Sequence, residues 1–158
     1  MIPKSSVERV RAALLAAGHP DTITEFPAGT RTAADAAAAV GCSVAQIAKS
    51  IVFRTGDRAV LVIASGANRV DQHKVEAVLG VGVKRADADF VRDRTGFAIG
   101  GVAPLGHLVP PLLVFDRDLL ALHPIYAAAG SPSHVFSTEA DLLARITGAP
   151  VADIRQPG

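Results

Sequence analysis

The sequence predicts an α/β (α+β) protein, a mixed β-sheet with helices packed outside it. Three observations point there. Strand-like and helix-like segments interleave along the 158 residues. Two pairs of strand-like segments have connections too short for a parallel crossover, which excludes a purely doubly wound sheet. Hydrophobic residues make up 49% and charged residues 20% of a chain long enough to bury a core, so a single globular domain over 1–158 is expected.

The elements follow in order. "SSVERVRAALLAAG" is amphipathic, with Ser5 or Ser6 to cap it and Gly18 to stop it. "TITEF" alternates as a strand. "TAADAAAAVG" carries a Thr32/Asp35 capping box and a Gly41 stop, and "SVAQIAK" repeats the device with Ser43 and Gln46, predicting a second, short helix. "SIVFR" and "RAVLVIAS" flank a "TGD" turn and read as a hairpin of β-branched strands. "NRVDQHKVEAVLG" is a helix ending at Gly80, "VGVKRA" a strand and "DADFVRDRTG" a short helix. A glycine-rich loop follows, then a buried strand "PLLVF" and a "DRDLLA" turn. "IYAAAG" and "HVFS" are two more strands around "SPS", and "TEADLLARITG" closes the chain as a capped helix.

Composition narrows the function. With 16 Lys and Arg against 15 Asp and Glu the net charge is +1, too little for a broad footprint on duplex DNA or a membrane surface. A few cations gripping one end of a partner remain compatible with it. The start, "MIPKSSVERV", has no apolar signal core, and a single cysteine, Cys42, permits no intrachain disulfide, so a cytoplasmic protein is expected. The five histidines are not paired at metal-ligand spacing and Cys42 lies near none of them, so no metal or other cofactor is expected. No G-x-S-x-G elbow is present. Cys42, just past a helix stop, reads as buried packing.

Three features admit two readings each. "TAADAAAAVGCSVAQIAKSI" has the order of a helix-turn-helix, but its second helix offers only Gln46 and Lys49 to a groove; the alternative is two small helices on a sheet. Lys49, placed at the end of that helix, either complements the helix dipole or lays its stem on apolar surface and aims its ammonium into a cavity. "FAIGGVAPLGH" is either a tight connection or a ligand surface. Gly100, Gly101 and Gly106 around Pro104 exceed what a turn needs, and bare backbone lets a ligand reach main-chain N–H and C=O groups directly.

Taken together, "QIAKSIVFR", "LVIASGANRVD", "TGFAIGGVAPLGH" and "AAAGSPSHVFS" closely resemble the YbaK family, related to the editing insertion of bacterial prolyl-tRNA synthetases. The resemblance implies a mixed, barrel-like sheet flanked by helices. It implies a freestanding hydrolase that deacylates tRNA(Pro) mischarged with a small amino acid. By the same resemblance Lys49 is the family's catalytic lysine. Gly100, Gly101, Val102 and Pro104 line the aminoacyl pocket as its G-x-x-x-P loop, with Ile99 and Leu105 as further apolar walls. Gly130, Ser131 and His134 fall on its rim. The expected partners are the aminoacylated 3′ end of tRNA and prolyl-tRNA synthetase, which the low net charge would make a useful tRNA carrier. "TITEFPAG" lacks the aromatic first strand of the cysteine-removing subgroup, leaving alanine, serine, threonine or another small residue as cargo. A non-catalytic aminoacyl- or nucleotide-binding module of the same fold is the alternative.

Overall fold

The computed structural model describes residues 5–157; Met1 to Lys4, part of the start searched above for a signal core, and Gly158 lie outside the described residues. Among the described residues, five α-helices and eight strands occur in the order α1 Ser6–Ala16, β1 Ile23–Glu25, α2 Ala33–Val40, β2 Ile47–Thr55, β3 Arg58–Ser65, α3 Gln72–Leu79, β4 Lys84–Arg85, α4 Ala88–Thr95, β5 Leu112–Asp116, β6 Ile125–Ala128, β7 His134–Thr138, α5 Ala140–Thr147 and β8 Val151–Ala152. The sheet is mixed, ordered β1-β7-β6-β2-β3-β5-β8, with β4 pairing β2.

Local chemistry accounts for most boundaries. Side-chain oxygens of Ser5, Thr32, Asp71 and Asp87 accept the first free N–H groups of α1, α2, α3 and α4. Glycines in the left-handed region end α2, α3, α4 and α5. The β2–β3 hairpin turns on Gly56 and Asp57, with Thr55 opposite Arg58 and eight residue pairs in register back to Ala48 opposite Ser65.

β3 lies between β2 and β5 and is buried from Ala59 to Ser65. Its alternate side chains serve two cores. Leu61 and Ile63 meet Val10 and Leu14 of α1, Val91 of α4, Phe97, Phe115, Phe136 and Leu143 of α5. Val60, Val62 and Ala64 meet Val75 of α3, Val83, Val114 and Ile154 on the other side. A smaller cluster seats Ala36 and Ala37 of α2 on Ile47, with Cys42 and Tyr126 against it, so Cys42 is part of that packing.

Four expectations need correction. "SVAQIAK" is no helix: the Ser43/Gln46 box closes a single 3₁₀ turn over Val44–Gln46, and β2 begins at Ile47. Lys49 is therefore the third residue of a strand, because the chain from Ala48 onward gains a full ladder against β3 that a two-turn helix cannot match. That removes the helix-turn-helix reading, which has no second helix. The α3 helix starts at Gln72, since Asp71 captures the N–H groups of His73 and Lys74, so Asn68 to Val70 stay in a loop. Beyond α5, whose N-cap Glu139 makes no side-chain cap, β8 adds a strand parallel to β5.

Candidate functional site

β2 has β3 along one side and two short partners along the other. Ile47 and Ala48 pair with β6, and Phe53 and Arg54 pair with β4. Between those pairings, Lys49 to Val52 have no strand on that side among the described residues. A cavity of about 130 Å³ opens at the start of this gap. Its walls come from five places: Thr30 to Ala33 and Ala36 around the start of α2, Ile47 to Ser50 of β2, Gly100 and Val102 of the glycine-rich loop, Tyr126 to Ala128 of β6, and Val135 of β7.

Lys49 and Gly100 thus share one cavity, although they are distant in sequence. The Lys49 Nζ donates to the Asn68 carbonyl at 2.6 Å. Burial pushes this ammonium below its ordinary pKa, the negative charge of Asp116 opposes that, and Arg69 adds to it. Next to it, Ser50 lines the same cavity, and its Oγ is buried with no hydrogen-bond partner among the described residues. A buried hydroxyl without a partner is uncommon enough to need a reason, and a ligand is one.

The glycine-rich loop holds its shape by close backbone approach. Gly100 has φ +92°, and a Cβ there would sit 2.7 Å from Arg31 Cγ, so the arginine stem lies across the glycine. A Cβ on Gly101 would meet the Ser131 backbone at 2.7 Å. One on Gly130 would meet Ser6 at 2.6 Å, where Ser6 Oγ donates to the Gly130 carbonyl. Helix α1 clamps the far end: the Arg9 guanidinium donates to the carbonyls of Gly96 (2.8 Å) and Gly106 (3.3 Å) and lies 4.9 Å from the Phe97 ring centre.

The structure separates the expected site residues into three groups. Lys49, Gly100 and Val102 line the cavity. Gly101, Gly130, Ser131 and His134 are not among its lining residues. Ser131 Oγ is 2.6 Å from His134 Nδ1, and His134 Nε2 lies 3.7 Å from Glu25 Oε2. Pro104 and Leu105 turn away, into a separate groove with Gly106, His107, Pro110, Pro111, Leu113, Ile146 and Thr147. Ile99 is 57% exposed and walls nothing. Ile99, Pro104 and Leu105, expected as walls of the aminoacyl pocket, do not line this cavity: the loop is irregular, turning at Ile99–Gly100 and bending at Pro104–Leu105, and only its Gly100 and Val102 reach it. Arg31, Thr30 and Ser50 are additions. Arg31 is exposed and makes no ion pair among the described residues, and nothing in its local sequence marked it. Ser50 follows Lys49 directly, and that adjacency was the available signal.

Among the described residues, no group of three or more His, Cys, Asp or Glu side chains is placed to hold a metal ion, and no helix is long and apolar enough to cross a membrane.

A mixed, helix-flanked sheet with a lysine and a bare glycine lining one small cavity defines a class, and the sequence agrees. The chain belongs to the aminoacyl-tRNA editing domain family, whose model matches residues 27–146. Protein YwhH of Bacillus subtilis (strain 168), itself uncharacterized, is 32% identical over 127 residues, covering 80% of this chain and 81% of that one. The proline–tRNA ligase of Desulfotalea psychrophila is 29% identical over 112 residues, 70% of this chain but only 19% of the ligase. A crystal structure of a candidate trans-editing enzyme for prolyl tRNA synthetase superposes with TM-score 0.90 at 41% identity, over 99% of this chain and 100% of that one. The structure of hypothetical protein APE2540 gives TM-score 0.87 at 29% identity, over 94% and 99%.

Proposed function

We propose that this chain is a trans-acting editing hydrolase. It cleaves the ester joining a small, non-cognate amino acid to the 3′ end of tRNA(Pro), with prolyl-tRNA synthetase as its working partner. One observation carries the reading: Lys49, Ser50 with its buried unpartnered hydroxyl, and Gly100 line one small cavity. At about 130 Å³ it is somewhat smaller than a cavity of roughly 150 Å³ that holds a benzene ring. It therefore suits a side chain of a few atoms and leaves the adenosine outside.

An aminoacyl ester is already labile, so the protein supplies orientation and charge stabilisation in place of a strong nucleophile. Lys49 and Arg31 hold the phosphate or ribose oxygens of the terminal adenosine. The main chain at Gly100 meets the amino acid. Water adds to the ester carbonyl, the bond to the ribose oxygen breaks, and that oxygen leaves as the hydroxyl of the free tRNA end. The neighbouring ribose hydroxyl of the substrate accepts the water's proton as it passes its own to the leaving ribose oxygen. A synthetase pocket discriminates a missing methylene by only about 1–3 kcal/mol, so a second site that admits the smaller amino acids is needed for accuracy.

The test is a panel of tRNA(Pro) samples charged with alanine, serine, threonine, cysteine or proline. Accelerated release is expected for at least one small residue and not for proline, and Lys49→Ala should lose it while keeping its fold. Binding of the charged tRNA without release from any member would instead identify a binding module.

A further inference from the structure

We propose that Asp116 is a positioning residue for Lys49: through the amide of Asn68 it fixes the main-chain carbonyl that holds the Lys49 ammonium. The geometry is independent of the function assigned above; the consequence for deacylation rests on that reading.

Asp116 is the last residue of β5 and is 1% exposed. Its carboxylate accepts three N–H bonds, from Ser65 N (3.0 Å) and Asn68 Nδ2 (2.9 Å) on Oδ2 and from Asp118 N (2.9 Å) on Oδ1. A cap for the 3₁₀ turn at Arg117–Ala121 needs only the Asp118 bond, and Ser, Thr or Asn would provide it at the surface. The other oxygen reaches across to the loop after β3. There the Asn68 amide is pinned by two carboxylates, its second proton going to Asp118 Oδ2 at 2.9 Å. The main-chain N–H of Asn68 bonds the Ser65 carbonyl at 2.9 Å. With its side chain and N–H both fixed, Asn68 presents its carbonyl to Lys49 Nζ at 2.6 Å.

Charge explains why a carboxylate does this. None of the three donors on Asp116 is a cation, and a buried carboxylate is costly unless a counter-charge lies near. Lys49 is that counter-charge at one remove. The other charges around the ammonium work differently: Arg69, beside Asn68 in the same loop, repels it, Arg31 lines the cavity from the segment before α2, and Asp118 is engaged by Arg155 at 3.6 Å. Asp116 opposes the loss of charge at Lys49 and, through Asn68, holds its ammonium in place.

The experiment follows Lys49 itself, in protein without substrate. Its 13Cε resonance, assigned by its loss in Lys49→Ala, is titrated through the alkaline range in wild type and Asp116→Asn, beside deacylation of Ala-tRNA(Pro) corrected for spontaneous hydrolysis. Expected are a lower titration midpoint for Lys49 in Asp116→Asn, an alkaline limb of activity moved the same way, and kcat/KM down about tenfold or more. A folded Asp116→Asn with an unchanged Lys49 midpoint overturns the proposal, even if activity falls, because a merely structural role predicts that pattern. A moved midpoint in a protein whose wild type releases no amino acid upholds the proposal and sinks the hydrolase reading. Should Asp116→Asn not fold, Asn68→Ala keeps the carbonyl and removes its anchor. Faster exchange of the Lys49 ammonium protons is then expected, and unchanged exchange overturns the proposal.

Discussion

Gly101→Ala tests the wall of the cavity with a single methyl group. An ideal Cβ at Gly101 lies 2.7 Å from the Cα and C of Ser131 and 3.0 Å from its N, all main-chain atoms that no side-chain rotation can move. Restoring ordinary contact at 3.4 Å needs a retreat of about 0.7 Å between the glycine-rich loop and the loop before β7. Overpacking of this kind costs about 1–3 kcal/mol, which lowers Tm by roughly 2–12 °C for a chain of this size. Gly101 adjoins Gly100 and Val102, so the retreat also displaces the wall facing Lys49. A misplacement near 1 Å is worth up to about a hundredfold in rate, so deacylation should fall roughly ten- to hundredfold. Gly148→Ala is the control. Gly148 has φ +70° but nothing within 4 Å of its Cβ position, and it lies away from the cavity. It should cost about 1 kcal/mol of conformational strain and leave deacylation intact. Thermal unfolding and single-turnover deacylation measured on both variants decide. Wild-type Tm and rate in Gly101→Ala would refute the close approach and the wall built on it.

Three further outcomes follow from the same geometry. Lys49→Arg keeps the charge but cannot place a planar guanidinium where one compact ammonium meets the Asn68 carbonyl; deacylation should stay at least tenfold below wild type, and full rescue would mean only charge matters. Arg31→Ala should raise KM for charged tRNA more than it lowers kcat and reduce the salt dependence of binding by about one phosphate contact; an unchanged salt slope would remove Arg31 from the substrate contacts. His107 has its pKa lowered to about 4, first by burial, with the Ala103 backbone opposing and Arg9 adding to the effect. Between the ordinary value of 6.5 and about 4 the unfolded chain binds the proton and the folded one does not, so stability falls as pH falls through that window, by up to about 3 kcal/mol. Urea unfolding at both ends of the window should show a shallower pH dependence for His107→Leu than for wild type, and equal dependence would dismiss the group.

Much of this protein was legible in its sequence. Caps and stops are chemistry of three or four neighbouring residues, so Ser5, Thr32, Gly41 and Gly80 marked helix ends without tertiary knowledge, whereas the Asp71 cap that starts α3 at Gln72 was missed. The motifs around Lys49 and Gly100 identified the family, and those two residues meet in one cavity. The Ser43/Gln46 box misled for the same local reason: it forms, but it closes one turn, and the ladder to β3 claims Lys49. Side-chain direction in an irregular loop has no period, so nothing in "AIGGVAPLG" told that Val102 faces the cavity while Ile99 faces solvent and Pro104 and Leu105 face another groove. Arg31 across Gly100, the unpartnered hydroxyl of Ser50, and the Asp116–Asn68 brace under Lys49 join segments tens of residues apart. Sequence determined what each segment is, because propensity and capping act within a turn or two. Tertiary structure decided what the segments do together, because cavities, buried charges and backbone contacts exist only once distant stretches are packed.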